Sequence, residues 1–280
     1  MAETTENMMN VDIKHPEVWS MTVRISDNAL TYAIYSNVED NSLYYGEFPF
    51  SGKPETRMKE LEAVVYDNAF FLNNYDHVDF LIESSHFVIV PNEFSANGDV
   101  QECEKYYRFI YADDNMNVAT EALPSDGATL VFGIHPELEA FLRRTFYNPP
   151  MHHFLTPMLK FFRKKGAFGS ADKMFAFFNE DKVEVFVMKN SKITFANYYK
   201  ITNVDDAFYY VMNAWKQNDM NPQFDELHIF GDKQMRKDIL PKLRVYVDTV
   251  IQTIFPAPLL RLGKKAMSAP FDLIILPTCE

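Results

Sequence analysis

Residues Lys173–Asp232 read KMFAFFNEDKVEVFVMKNSKITFANYYKITNVDDAFYYVMNAWKQNDMNPQFDELHIFGD. Met174–Phe178 is apolar at every position, the pattern of a strand buried on both faces. Asn179-Glu180-Asp181-Lys182 is a polar turn, after which Val183, Val185 and Val187 share one face of a second strand. Lys189-Asn190-Ser191-Lys192 turns the chain again, into a third strand over Ile193–Tyr199. Thr202 with Asp205 reads as a capping box in which Asp replaces the usual Glu. Val204, Phe208, Val211 and Trp215 then form a helical stripe. Leu227–Phe230 is one more apolar strand, and Gly231-Asp232 opens a further helix to Leu240. The order is strand, strand, strand, helix, strand.

The same order runs from Val18 to Val90. Val18–Ile25 alternates polar and apolar residues, which predicts a strand with one buried face. Ser26-Asp27-Asn28 is a turn, and Leu30–Tyr35 and Leu43–Phe50 are the next strands. Met58, Leu61, Val65, Ala69 and Leu72 give a helical stripe, and Val78–Ile82 and Phe87–Val90 are strands. The spacing predicts a helix over Asp99–Tyr111, a loop through Asp113-Asp114-Asn115, a strand over Thr129–Ile134 and a helix begun by Pro136. Residues 151–165 fit a helix or a strand, and Val245–Phe255 fits a strand, a helix or both. Phe271–Leu276, between Pro270 and Pro277, is strand-like. The expected divisions are a flexible tail over 1–14, a first lobe over 15–150, a connection over 151–172 and a second lobe over 173–280.

Composition narrows the function. The 280 residues are 47% hydrophobic and 15% aromatic, enough to fill a core without metal or disulfides. The net charge of −12 opposes binding to nucleic acid or anionic membrane. No apolar run approaches the roughly 20 residues that span a bilayer, so no membrane insertion is expected. The two cysteines, Cys103 and Cys279, lack metal or CxxC spacing. They fit free thiols in a reducing, cytoplasmic setting, and Met1–Asn10 lacks the pattern of a signal peptide. Only 9 glycines occur, whereas loops that wrap phosphates rely on them.

Two lobes of this order resemble the actin-like ATPase fold. That is an α/β architecture of the ribonuclease H-like kind, duplicated, with mixed sheets. The closer likeness is to the cytoplasmic actin-fold domains of pilus-assembly and type II secretion scaffold proteins, and to an uncharacterised bacterial family of the same clan. In active members of the fold, the turn between the first two strands of each lobe carries Asp and Gly around the phosphates. The corresponding turns here, Ser26-Asp27-Asn28 and Asn179-Glu180-Asp181-Lys182, contain no glycine. A glycine pair beneath the adenosine is reduced to Gly231-Asp232.

The resemblance therefore implies a non-catalytic scaffold or adaptor, a pseudo-ATPase that binds proteins, with no cofactor and no metal. The alternative is a nucleotide-binding protein or divergent kinase using the cleft between lobes. For that alternative the site candidates are Asp27, Asp181, Gly231 and Asp232. Each also has a structural reading: Asp27 and Asp181 as hairpin-turn residues, Gly231 as the residue that lets the strand turn, and Asp232 as a helix cap. His152-His153 lacks the converging ligands of a metal site and reads as surface or interlobe packing. Residues 92–127 are acidic yet carry Tyr106, Tyr107, Phe109 and Tyr111, more aromatics than one helical stripe can bury. The surplus either packs inside the protein or forms an aromatic partner surface rimmed by carboxylates.

Overall fold

A computed structural model describes residues 13–36, 38–113, 115–166, 169–179, 181–253 and 255–276. Residues 1–12 of the expected tail, Asp114, Glu180 and Cys279 lie outside the described residues. The described residues form two compact units, those up to 154 together with 257–276, and those within 155–256.

The first unit begins with β1 (Trp19–Ile25), β2 (Ala29–Ser36) and β3 (Tyr44–Pro49), an antiparallel meander. Helix α1 (Arg57–Asp67) leads to β4 (His77–Ile82), which lies parallel to β1, and β8 (Met151–His153) lies parallel to β4. The sheet order is β3-β2-β1-β4-β8. Between β4 and β8 the chain inserts β5 (Phe87–Pro91), α2 (Val100–Ile110), β6 (Asn117–Leu123), β7 (Ala128–Ile134) and α3 (Pro136–Thr145). These three strands make a separate antiparallel sheet, β5-β7-β6.

The second unit starts with α4 (Thr156–Gly166), followed by β9 (Lys173–Asn179), β10 (Lys182–Lys189) and β11 (Lys192–Lys200). Then come α5 (Val204–Gln217), β12 (Glu226–Gly231), α6 (Lys233–Leu243) and β13 (Thr249–Gln252). Its sheet order, β11-β10-β9-β12-β13, repeats that of the first unit strand for strand. The registers match too. Ile25 stands opposite Leu30 and Ile82, as Phe178 stands opposite Val183 and Gly231. The duplication anticipated from element order is present, with two hairpin-linked strand pairs at the start of each sheet.

Each five-stranded sheet is covered on both faces. In the second unit Met174, Ala176, Phe178, Val183, Val185 and Val187 pack with Ala207, Val211 and Trp215 of α5 and Ile239 and Leu243 of α6. On the other face Phe162 of α4 stacks on Phe175, ring centroids 4.7 Å apart, and meets Phe186 at 5.8 Å. In the first unit every residue of β1 and β2 is buried. The alternation of Ser20, Thr22 and Arg24 predicts a solvated face there, and the structure corrects this. The face is covered by α7 (Phe271–Ile275), which packs on β1 and β2.

Segment 257–276 thus belongs to the first unit, not to the second lobe expected over 173–280. Phe271–Leu276 is helical rather than a strand, because a short apolar run looks the same in either state. Its anchor is a buried ion pair, Arg24 Nη1 donating to Asp272 Oδ2 at 2.8 Å.

Other local readings shift slightly. Residues 151–165 contain both candidates, β8 and then α4. Strand β6 follows the loop at 113–115, at a place where the sequence pattern predicts no element, and its side chains are mostly half-buried. The cap of α5 is Asn203, whose side chain accepts from Asp205 N and Asp206 N. Asp206, not Asp205, reaches back to Thr202 N at 2.8 Å.

Removing one partner from a buried pair costs about 3–5 kcal/mol, while replacing both by apolar groups costs far less. Arg24→Met or Asp272→Leu alone is therefore expected to destabilise the first unit by that amount, and the double variant by clearly less than the sum. Urea unfolding followed by Trp19 fluorescence in a Trp215→Phe background reads this, since Trp19 and Trp215 are the two tryptophans.

Candidate functional site

Open sheets with parallel strands bind ligands beyond the carboxyl ends of those strands. In the first unit that edge is the turn from β1 to β2. Ser26 Oγ accepts from Asn28 N at 3.2 Å and from Ala29 N at 3.1 Å, and Ser26 N donates to Ala29 O. The amides of Ser26, Asn28 and Ala29 are thus satisfied within the turn. The Asp27 carboxylate is exposed and ion-paired with Arg57 of α1 at 2.8 Å.

The equivalent edge in the second unit brings Asp181, Gly231 and Asp232 to one end of the sheet. Gly231 ends β12 opposite Phe178 of β9 with φ +95°, and a Cβ there would overlap the Phe178 carbonyl. Asp232 N donates to that same carbonyl at 2.9 Å. The Asp232 carboxylate accepts from Met235 N at 2.6 Å and caps α6. Gly231 and Asp232 are therefore occupied by backbone packing and capping. Asp181 is exposed in its turn, and its carbonyl accepts from Ile201 N. No cluster of three or more metal-ligating side chains occurs among the described residues.

The inserted sheet has its own small core of Val90, Cys103, Tyr107 and Val131. Tyr107 fits because Gly133 faces it without a side chain. Asp99 caps α2 by accepting from Glu102 N. The other aromatics divide. Tyr111 is half-buried, its ring stacked on His86 at 4.4 Å and 13°. Tyr106 and Phe109 are 39% and 87% exposed. Of the two outcomes left open for the surplus aromatics, exposure is the one found for this pair. Beside the end of α2 lies an open cavity of about 690 Å³.

The histidine pair on β8 is packed, and its members differ. His153 is fully buried, its Nε2 donating to Ser84 O at 2.9 Å, and burial pushes its pKa down to about 4. His152 places Nδ1 2.8 Å from Glu121 of β6 and Nε2 3.4 Å from Asp79 of β4. Burial alone would lower its pKa, but the hydrogen bonds and charges of both carboxylates outweigh it and raise it to about 9. His152 as imidazolium therefore ties the inserted sheet to the main sheet of its unit. Sequence reading missed this clamp, since its three residues lie on three strands with no shared motif.

The chain matches, over residues 8–250, the family described as Protein of unknown function (DUF3822), and it belongs to that family. No curated protein matches it. A solved Bacteroides thetaiotaomicron protein, described as having an actin-like ATPase fold and unknown function, aligns with 97% of this chain and 100% of its own. The TM-score is 0.79 at 22% identity. The structure titled PilM-PilN type IV pilus biogenesis complex aligns over 95% of this chain and 100% of its own, with TM-score 0.51 and 10% identity. The chain has the actin-like ATPase fold. Among the described residues no helix is long and apolar enough to cross a membrane.

Two outcomes follow for the site residues. Gly231→Ala combines positive φ with backbone overlap and is expected to cost more than about 2 kcal/mol in urea unfolding. The His152 pKa is raised, so its contribution is complete below the unfolded value near 6.5 and is lost as pH rises through about 9. A shift of that size corresponds to about 3 kcal/mol. Stability of wild type should fall by that order between pH 6.5 and 9.5, and His152→Gln should flatten the slope.

Proposed function

We propose that this member of the DUF3822 family is a non-catalytic adaptor of the bacterial cytoplasm, acting through contacts with other proteins. The observation that carries this reading is the β1–β2 turn. Catalysis of phosphoryl transfer needs donors held free and aimed at developing charge. Here the Asn28 and Ala29 amides are taken by Ser26 Oγ, and Asp27 by Arg57. Asp232 is likewise committed to its helix. The net charge of −12 speaks against nucleic acid as the partner. A protein partner is carried over by analogy of fold from the PilM-PilN structure, a complex of two proteins by its title.

A second reading, a nucleotide-binding protein or divergent kinase, draws on Asp181, which is exposed at the carboxyl end of β9. Titration calorimetry with ATP and Mg²⁺ separates the two. The adaptor reading expects no heat of binding at micromolar ligand, in wild type and Asp181→Ala alike. Micromolar binding lost in Asp181→Ala would establish the second reading instead.

A further inference from the structure

Helix α2 has its apolar side chains divided in an unusual way. A surface helix turns its apolar stripe to the core. The inward face of α2 buries only Cys103 and Tyr107. The outward face carries Tyr106, Phe109 and Ile110, which are 39%, 87% and 54% exposed. Positions 106, 109 and 110 are neighbours at helical spacing, so they form one continuous stripe. A contiguous exposed stripe of this size leaves apolar area in water with no compensation inside the chain.

The stripe runs into the cavity at the end of α2, which Ile110 also lines. Tyr111, Met116 and His86, whose ring stacks on Tyr111, line it as well. Asp113 and Glu137 stand in its wall. The C-terminal carbonyls of α2 add the negative end of the helix dipole there. The cations of α2 are already engaged: Lys105 with Glu102 at 2.6 Å, and Arg108 with Glu104 at 3.3 Å. Asp113 and Glu137 have no such partner among the described residues. An arginine or lysine entering this cavity would meet carboxylates and lie over an aromatic face.

We propose that this stripe and cavity form the docking site for a peptide segment of a partner protein, apolar with at least one basic side chain. The proposal rests on the adaptor reading and names its partner's chemistry. A second copy of this chain is the poorer occupant, since each copy carries a net charge of −12 and the cavity wall is acidic.

The test immobilises the full chain and selects from a displayed library of random peptides about a dozen residues long. Enriched peptides should combine Arg or Lys with aromatic or aliphatic residues. Fluorescence anisotropy should then show affinity at least about tenfold weaker in Phe109→Ser/Ile110→Ser, with Tm unchanged because both side chains are exposed. Asp113→Asn/Glu137→Gln should weaken binding by a similar factor and reduce its salt dependence. Acidic or neutral peptides, equal binding to the variants, or no enrichment would overturn the proposal. So would dimerisation in sedimentation that Phe109→Ser/Ile110→Ser abolishes, which would assign the stripe to a second copy. A chain that binds neither ATP nor such peptides keeps the adaptor reading and loses this site.

Discussion

The strands at the centre of both sheets are buried on both faces, and most of the structure follows from that. A sheet with one covering layer would leave half of β1, β2, β9 and β10 in water. Each sheet therefore needs a second cover, and the chain supplies it by exchange. After β8, the fifth strand of the first sheet, the chain continues into α4, which covers the second sheet. After β13, the fifth strand of the second, it continues into residues 257–276, which return to the first. In the second unit the contact is aromatic, with Phe162 on Phe175 and Phe186; burying such a ring is worth about 2–3 kcal/mol. In the first it includes a buried ion pair, whose benefit is register more than net energy. The second unit is thus built from one stretch of chain, residues 155–256, whereas the first is completed only when residues 257–276 return to it.

Much of this was legible from residue pattern. Met174–Phe178, apolar at every position, announced a strand covered twice, and the turns at Asp27 and Asp181 fell where hairpins form. What failed was the destination of the last segment. Phe271–Leu276 is too short for periodicity to distinguish helix from strand, and nothing local says where it packs. A signal was present all the same. Arg24 interrupts a strand that is otherwise apolar or hydroxylated, and Asp272 interrupts an apolar run. Two opposite charges, each out of place in its own segment, are the pattern of a buried pair between them. The one-residue error at the α5 cap has a similar origin: Asn203 outcompetes Thr202 for the capping position, so Asp206 becomes the acid that reaches back.

The candidate ligand residues were legible as residues but not as states. Spacing could not show that Ser26 Oγ takes two amides of its own turn, or that a guanidinium sits on Asp27. Nor could it show that the Gly231 backbone lies against Phe178. Each of these uses a ligand-capable group to hold the fold. The surface of α2 shows the opposite. Phe109 and Ile110 are mostly exposed and Tyr106 makes one hydrogen bond, its hydroxyl donating to Phe94 O, while Tyr107 and Cys103 secure the helix from beneath. Polar groups at the sheet edge are spent inward on the fold, whereas the apolar groups on α2 face outward.

The amides of Asn28 and Ala29 are the most direct witnesses. Amide NMR spectra of the chain with these two positions assigned, titrated with a non-hydrolysable ATP analogue and Mg²⁺, report whether Ser26 ever releases them. The account predicts that both resonances stay in place through millimolar nucleotide. Saturable movement of both at micromolar concentration would show that the turn opens to take phosphate, and would contradict it.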